Sequence, residues 1–95
     1  MFIIDGRNML TRREAYQELK RALEAPEYMG ANLDALHDVL SEMRGEIVLV
    51  HACAMLNALK RFGLSLLEVL FNATNENPYL SFTLGMKHDA EDAEG

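Results

Sequence analysis

The segment that most constrains the fold is an unbroken run of four apolar residues, Ile47-Val48-Leu49-Val50. A strand without alternation between apolar and polar residues is typical of a sheet that is covered on both faces, which is the pattern of a parallel sheet packed with helices. Parallel strands cannot be joined by tight turns, because each connection must cross the sheet. The rest of the chain should therefore supply further strands separated by helices.

Two further segments have the composition of strands. Near the start, Phe2-Ile3-Ile4 is a short apolar run that ends in the turn-forming pair Asp5-Gly6. Near the end, the segment from Tyr79 to Leu84 is the last predicted strand. Two long stretches with helical periodicity separate the three strands, and each stretch should contain two helices.

The first helical stretch begins with a capping box, Thr11-Arg12-Arg13-Glu14, in which the threonine oxygen accepts a hydrogen bond from a first-turn amide. Pro26 should end this helix near Glu24. Asn32 is a good N-cap for a second helix, which Gly45 can close. The apolar residues of the second helix recur at helical spacing and should form a buried stripe: Leu33, Leu36, Leu40 and Met43.

The second helical stretch predicts a third helix from Ala52 to about Arg61, stopped at Gly63. Another capping box, Ser65-Leu66-Leu67-Glu68, should open a fourth helix that ends before Pro78. The residues of this helix that we expect to face inward are Leu66, Leu67, Leu70 and Phe71.

The element order predicts an α/β fold: a three-stranded parallel sheet packed with about four helices, with the first strand in the middle and right-handed crossovers. A chain of 95 residues has room for one domain, which we assign to residues 1–85. Residues 86–95 are polar and acidic, and we expect them to be a disordered tail.

The negative charge of the chain is concentrated. The formal net charge is −6, and the segment from Glu24 to Glu46 holds six carboxylates against one cation, Arg44. Such an excess repels nucleic acids and anionic membranes and favours association with basic proteins. No apolar run approaches the roughly 20 residues that cross a bilayer, and a single cysteine, Cys53, cannot form an internal disulfide. We therefore expect a cytoplasmic protein, monomeric when free, with no nucleic-acid or membrane partner.

Two of these carboxylates share one face of the second helix. Asp34 and Asp38 are four residues apart, so their side chains stand side by side at a cost of about 0.2–0.5 kcal/mol. A solvated acidic face and a surface that meets cations on a partner are both consistent with this spacing. The preceding loop favours the second interpretation, because it places Tyr28 and Met29 beside the charged face and Gly30 permits a close backbone approach.

The segment from Pro26 to Leu40 resembles the barstar family of ribonuclease inhibitors. The motif PEY-x-G-x-NLDAL-x-D combines a loop, a helix cap and two acids at fixed spacing, and the predicted element order fits the family over residues 1–85. The resemblance implies that the second helix and the loop before it plug a ribonuclease active site, with carboxylates in the place of substrate phosphates.

The resemblance also implies a role for each matching residue. Asp38 would be the principal phosphate mimic, and Asp34 would contact a further cation. Tyr28 and Met29 would cover the region of the catalytic histidine, whereas Gly30 and Asn32 would shape the loop and its polar contacts. On the fourth helix, a second acidic interface position matches Glu76.

Three positions depart from the family pattern. His37 stands where the prototype inhibitor has a tryptophan, Asn72 stands where it has a glutamate, and Met29 replaces an aromatic residue. We therefore keep two hypotheses for the function. The chain is a proteinaceous inhibitor of a basic bacterial ribonuclease, such as an immunity protein, or it is a barstar-like module that binds a cationic protein other than a nuclease.

Catalysis is a third hypothesis, since Asp34, His37 and Asp38 are close in sequence. The imidazole of His37 is rotated by about 100° around the helix from Asp38. Neither a Gly-rich phosphate loop nor an HExxH motif accompanies these residues. We therefore predict that the protein is not an enzyme and needs no metal or other cofactor.

Overall fold

The computed structural model describes residues 1–85, and the predicted acidic tail lies outside them. Two α-helices follow each of the first two strands, and the third strand comes last; short 3-10 turns lie at Gly6–Asn8 and Glu27–Met29. In chain order the elements are β1 (Phe2–Asp5), α1 (Arg12–Leu23), α2 (Leu33–Ser41), β2 (Gly45–Val50), α3 (Ala52–Leu59), α4 (Arg61–Glu76) and β3 (Leu80–Leu84). The predicted three-stranded parallel sheet with four helices is confirmed.

The strand order differs from the prediction. The order is β1-β2-β3, so the middle strand is β2 and not the first strand. Each crossover moves the chain in the same direction across the sheet, and β2 thereby gains parallel partners on both edges. The central position suits the longest apolar run, because Ile47 and Leu49 are fully buried, whereas Ile3 on β1 is 51% exposed.

Only one face of the sheet packs against the hydrophobic core. Its core side chains include Ile4, Ile47 and Leu49, and α1 packs against β1 while α4 packs against β3. On the other face, Val48 is half-buried between Ile3 and Thr83, its exposed neighbours on the flanking strands. The expectation of a sheet covered on both faces is therefore wrong, and burial alternates along β2 although its sequence does not.

The helix boundaries of the first half largely follow the local signals. The Thr11 hydroxyl accepts from the Glu14 amide at 3.1 Å, and α1 ends at Leu23, three residues before Pro26. Gly45 does not close α2, which ends at Ser41; this glycine opens β2 with φ +126°.

The predicted boundary between the third and fourth helices is wrong. The break falls at Lys60, whose φ is +56°, and α4 begins at Arg61. Gly63 lies inside α4 and is buried. It packs closely against α3, since a Cβ there would approach the Leu56 side chain to 3.2 Å. Phe71 is 46% exposed and does not face the core. Its ring instead lies edge-on to Phe82 at 5.0 Å between centroids.

A buried carboxylate on α1 holds the end of β1. The Glu18 side chain is 4% exposed and accepts from the Asp5 amide at 2.9 Å, from the Asn8 side chain at 3.3 Å and from the Arg21 guanidinium at 2.6 Å. Burial alone would raise the pKa of Glu18. The hydrogen bonds and the charge of Arg21 outweigh burial, and the net effect lowers this pKa below its usual value.

The lowered pKa of Glu18 predicts a loss of stability in acid. Its contribution is fully present above the ordinary glutamate pKa, about 4.5, and is lost as the pH falls through the lowered folded-state value. Urea titrations from pH 7 to pH 3 should therefore show a shallower decline of the unfolding free energy in Glu18→Gln than in the parent chain. Glu68→Gln, an exposed position on α4, is the matched control and should leave the slope unchanged.

A buried amide joins the end of α2 to the end of α4. The Asn77 side chain donates to the carbonyl oxygens of Leu40, Ser41 and Met43 at 3.0, 3.3 and 2.9 Å, and its Oδ1 accepts from the Tyr79 amide at 3.0 Å. Carbonyl groups at the end of a helix have no partner within the helix. Asn77 supplies a side-chain partner for the last carbonyl groups of α2 and for Met43 just beyond it.

Among residues 1–85, no helix is both long enough and apolar enough to cross a membrane.

Candidate functional site

The candidate site is built on α2, whose two faces differ sharply. Leu36, Val39 and Leu40 are buried in the core, whereas Asp34 and Asp38 are exposed on the opposite face. Of the remaining residues in the predicted stripe, Leu33 and Met43 are partly buried against the core. The sequence prediction of an amphipathic helix with both acids on its outer face is confirmed.

The N-cap fixes the start of α2. The Asn32 Oδ1 accepts from the Asp34 amide at 2.7 Å and from the Ala35 amide at 3.2 Å. These amides otherwise lack partners within the helix. The cap also orients Asp34 in the first turn, where the positive end of the helix dipole stabilises a carboxylate.

Neither acid of the pair is neutralised within the described part of the chain. No ion pair among residues 1–85 involves Asp34 or Asp38. Arg44, the only cation in the acidic segment, lies instead over the ring of Tyr79 at 4.8 Å. The two carboxylates therefore face solvent with their negative potential intact.

The loop before α2 is anchored by one residue and exposes its neighbour. Met29 is fully buried, whereas Tyr28 is 67% exposed. A surface contact by the Met29 side chain is therefore not supported: this residue pins the Glu27–Met29 turn to the core. Gly30 follows with φ +51° and ψ −138°, a conformation that L side chains rarely adopt.

The fourth helix extends the site beside α2. His37 Nε2 lies 3.1 Å from Glu76 Oε1, with the side chains 36% and 65% exposed. Asn72 is exposed one turn before Glu76 on the same helix. The structure thus brings His37, Asn72 and Glu76 to one surface, although 39 residues separate the paired side chains along the chain.

The His37–Glu76 pair should couple only weakly. Exposed pairs contribute at most about 1 kcal/mol, because solvent screens the charges and the side chains lose rotamer freedom. A double-mutant cycle with His37→Ala and Glu76→Gln, read out by urea unfolding, should give a coupling below that value. A coupling of several kcal/mol would contradict a peripheral role.

The arrangement has the chemistry of a binding surface. Within residues 1–85, no group of three or more His, Cys, Asp or Glu side chains could hold a metal ion. The described surface instead combines an exposed tyrosine on a fixed loop, two acids without an ion-pair partner on a capped helix, and exposed polar side chains on α4.

A comparison with protein-family models decides the family. The model described as "Barstar (barnase inhibitor)" matches residues 1–86. The chain belongs to the barstar family. The match spans every strand and helix of the barstar fold described above, including the loop, α2 and α4, and it leaves out residues 87–95. A search of the curated proteins found no match.

The sequence predicted some features of this site and missed others. The capped start of α2 could be predicted from Asn32 alone, because an N-cap is a local signal. The hydrogen bonds of Asn77 to the end of α2, which we call the Asn77 clamp, and the contact between His37 and Glu76 were missed. Partners more than 30 residues apart leave no local pattern in the sequence. The burial of Met29 was also missed, because apolar residues are common both in cores and at interfaces.

Proposed function

We propose that this barstar-family chain inhibits a basic ribonuclease by inserting its loop 26–32 and α2 into the active site. The observation that supports this most directly is the pair Asp34 and Asp38, which is exposed and has no described cation as a partner. A ribonuclease active site holds cations that bind phosphate groups. A rigid pair of carboxylates can occupy their place without being cleaved.

The helix that carries the acids is preorganised. Asn32 caps its start, Asn77 satisfies its last carbonyl groups, and Leu36 and Leu40 bind it to the core. Little freedom is therefore left for α2 to lose on binding, and the cost of ordering an interface is one of the main terms that reduce affinity. In this proposal Asp38 meets the principal cationic cluster and Asp34 a cation at its edge.

The neighbouring residues complete the proposed interface. Tyr28 supplies an exposed aromatic ring, and Gly30 and Asn32 set the shape of the loop around it. His37, Asn72 and Glu76 form the flank on α4. Met29 contributes indirectly, because its buried side chain holds the loop in place. Such an inhibitor would protect the cytoplasm that contains it, as an immunity protein does.

The test is inhibition of RNA cleavage. Barnase and a panel of basic bacterial ribonucleases should each be assayed on RNA with and without equimolar protein. Stoichiometric loss of cleavage by at least one enzyme is expected. The same protein with Asp34→Asn and Asp38→Asn should not inhibit. Tight binding to a cationic protein without any effect on nuclease activity would contradict the proposal.

The second function, binding of a cationic protein other than a nuclease, has one observation in its favour. Glu76 is paired with His37 within the chain, and Asn72 carries no charge. The flank on α4 therefore offers less free negative charge than α2 does. Co-purification followed by a nuclease assay of the captured partner separates the two functions.

Either function predicts an association rate that depends on salt. The unneutralised acids steer a basic partner, and the Debye length shrinks from about 30 Å at 0.01 M to about 3 Å at 1 M ionic strength. Stopped-flow measurements with an inhibited ribonuclease should show at least a tenfold fall in the association rate over this range. The dissociation rate should change less. A flat association rate would argue against steering by the acidic face.

A further inference from the structure

Four cations line a cleft next to the proposed binding loop. Arg12, Arg13 and Lys20 of α1 line the part of the cleft that faces Gly30 and Ala31. An adjoining part of the cleft is also lined by Arg12, Tyr16 and Ala31, which line both parts. Its additional cation is Arg61, at the start of α4. We call the whole the basic cleft and define it by its cations: Arg12, Arg13, Lys20 and Arg61.

The charges of the basic cleft are largely uncompensated. Within residues 1–85, Arg12, Arg13 and Arg61 make no ion pair with a carboxylate. The Arg12 guanidinium lies over the Phe62 ring at 4.5 Å. Lys20 lies 3.4 Å from Glu27, whose side chain is 94% exposed. In a chain with a formal net charge of −6, such a concentration of positive charge favours an anionic occupant.

We propose that the basic cleft binds the acidic segment 89–94 of the same chain. This segment carries four carboxylates within six residues, Asp89, Glu91, Asp92 and Glu94. Their number equals the number of cations in the cleft. The segment also lies beyond the part of the chain that the family model matches, so the contact would be a property of this chain and not of the shared domain.

The chain is long enough to make this contact. The Gly85 carbonyl accepts from the Ala52 amide at 3.0 Å, so the last described residue lies at the start of α3. The eight residues of α3 rise by about 12 Å, and Lys60 then leads directly to Arg61 on the cleft. Nine extended residues from 86 onwards can span about 30 Å. A chain of that length is therefore sufficient to extend from Gly85 past the end of α3 to Arg61.

Tethering makes weak ion pairs sufficient. An exposed ion pair contributes only about 0.2–1 kcal/mol, but a short tether gives an effective concentration in the millimolar range. Several such pairs then hold the segment on the cleft for much of the time. Occupancy also covers positive charge beside Gly30, where it would otherwise repel a basic partner approaching the loop.

The test compares amide chemical shifts of the full chain, free of any partner, with those of a variant with a neutral segment. The variant carries Asp89→Asn, Glu91→Gln, Asp92→Asn and Glu94→Gln. Amides of residues 12–20, 30–33 and 61–65 should shift, and 0.5 M NaCl should shift the same amides in the parent chain. A control variant neutralises two exposed carboxylates away from the cleft, Glu42 and Glu46, and should leave the cleft amides in place.

A reciprocal variant examines the contact from the other side. Arg13→Gln with Arg61→Gln, both exposed positions, should shift the amides of residues 89–94. Shifts confined to residues 84–95 in the neutral-segment variant would overturn the proposal. Shifts that grow with protein concentration would also overturn it, because they would place the segment on a second copy. Since no partner is present, failure here leaves the proposed inhibition untouched.

Discussion

Asp38→Ala is expected to weaken binding to an inhibited ribonuclease by at least about 30-fold, because central, desolvated residues of an interface contribute about 2 kcal/mol or more each. The free energy of unfolding should not fall. Asp38 is exposed and its side chain makes no described ion pair. Removing it also relieves repulsion with Asp34 and introduces a better helix former. Isothermal titration and urea unfolding measure the two effects separately.

The matched control for Asp38 is Glu42→Gln, one turn further along the chain and also exposed. Loss of any acid slows electrostatic steering, so both variants should associate more slowly. Only the Asp38 variant should dissociate faster, because only Asp38 is proposed to contact the active site. Equal dissociation rates for the two variants would remove Asp38 from the role of phosphate mimic.

Asn77→Ala is expected to lower the free energy of unfolding by about 2–3 kcal/mol. The substitution removes the side-chain donor shared by the carbonyl oxygens of Leu40, Ser41 and Met43. Leu40 keeps a backbone donor, the Met43 amide at 3.3 Å, but each buried polar group left without a partner costs about 1–3 kcal/mol. Asn77→Asp should be at least as harmful at pH 7, because a carboxylate would then face those same oxygens. Urea unfolding followed by circular dichroism measures both changes.

A control variant close in sequence shows whether the loss of stability comes from the hydrogen bonds of Asn77 or from any substitution near the end of α4. Asn75→Ala lies two residues earlier at an exposed position and should change the unfolding free energy by less than about 0.5 kcal/mol. Hydrogen exchange should show the Asn77→Ala loss concentrated in the last turn of α2. If both alanine variants unfold alike, the hydrogen bonds of Asn77 contribute nothing beyond solvation.

Local signals predicted those parts of the fold that depend on neighbouring residues. Thr11 and Asn32 cap helices where expected, because a side-chain cap requires only two or three following amides. The order of the strands depends instead on which edge each crossover reaches, and no short pattern encodes that edge. The run from Ile47 to Val50 was apolar throughout, yet only alternate residues are buried, since half-exposed valines are tolerated on a partly open sheet.

The candidate site likewise has features that local spacing predicts and features that only the tertiary structure determines. Asp34 and Asp38 could be placed on one face from their spacing, because helical geometry is local. Tyr28 and Met29 are adjacent and both apolar, and only the folded core separates the exposed ring from the buried thioether. Phe71 was assigned to the core by its helical spacing, but it sits at the margin where β3 offers Phe82 as a neighbour.

The two-faced construction of α2 has a consequence for substitutions on its surface. The residues that hold this helix in place, among them Leu36, Leu40 and the Asn77 clamp, are distinct from the residues that would meet a partner. Substitutions at Asp34, His37 or Asp38 should therefore cost at most about 1 kcal/mol of folding stability each. Surface changes can therefore alter which partner such a helix fits, while the residues that hold it in place stay the same.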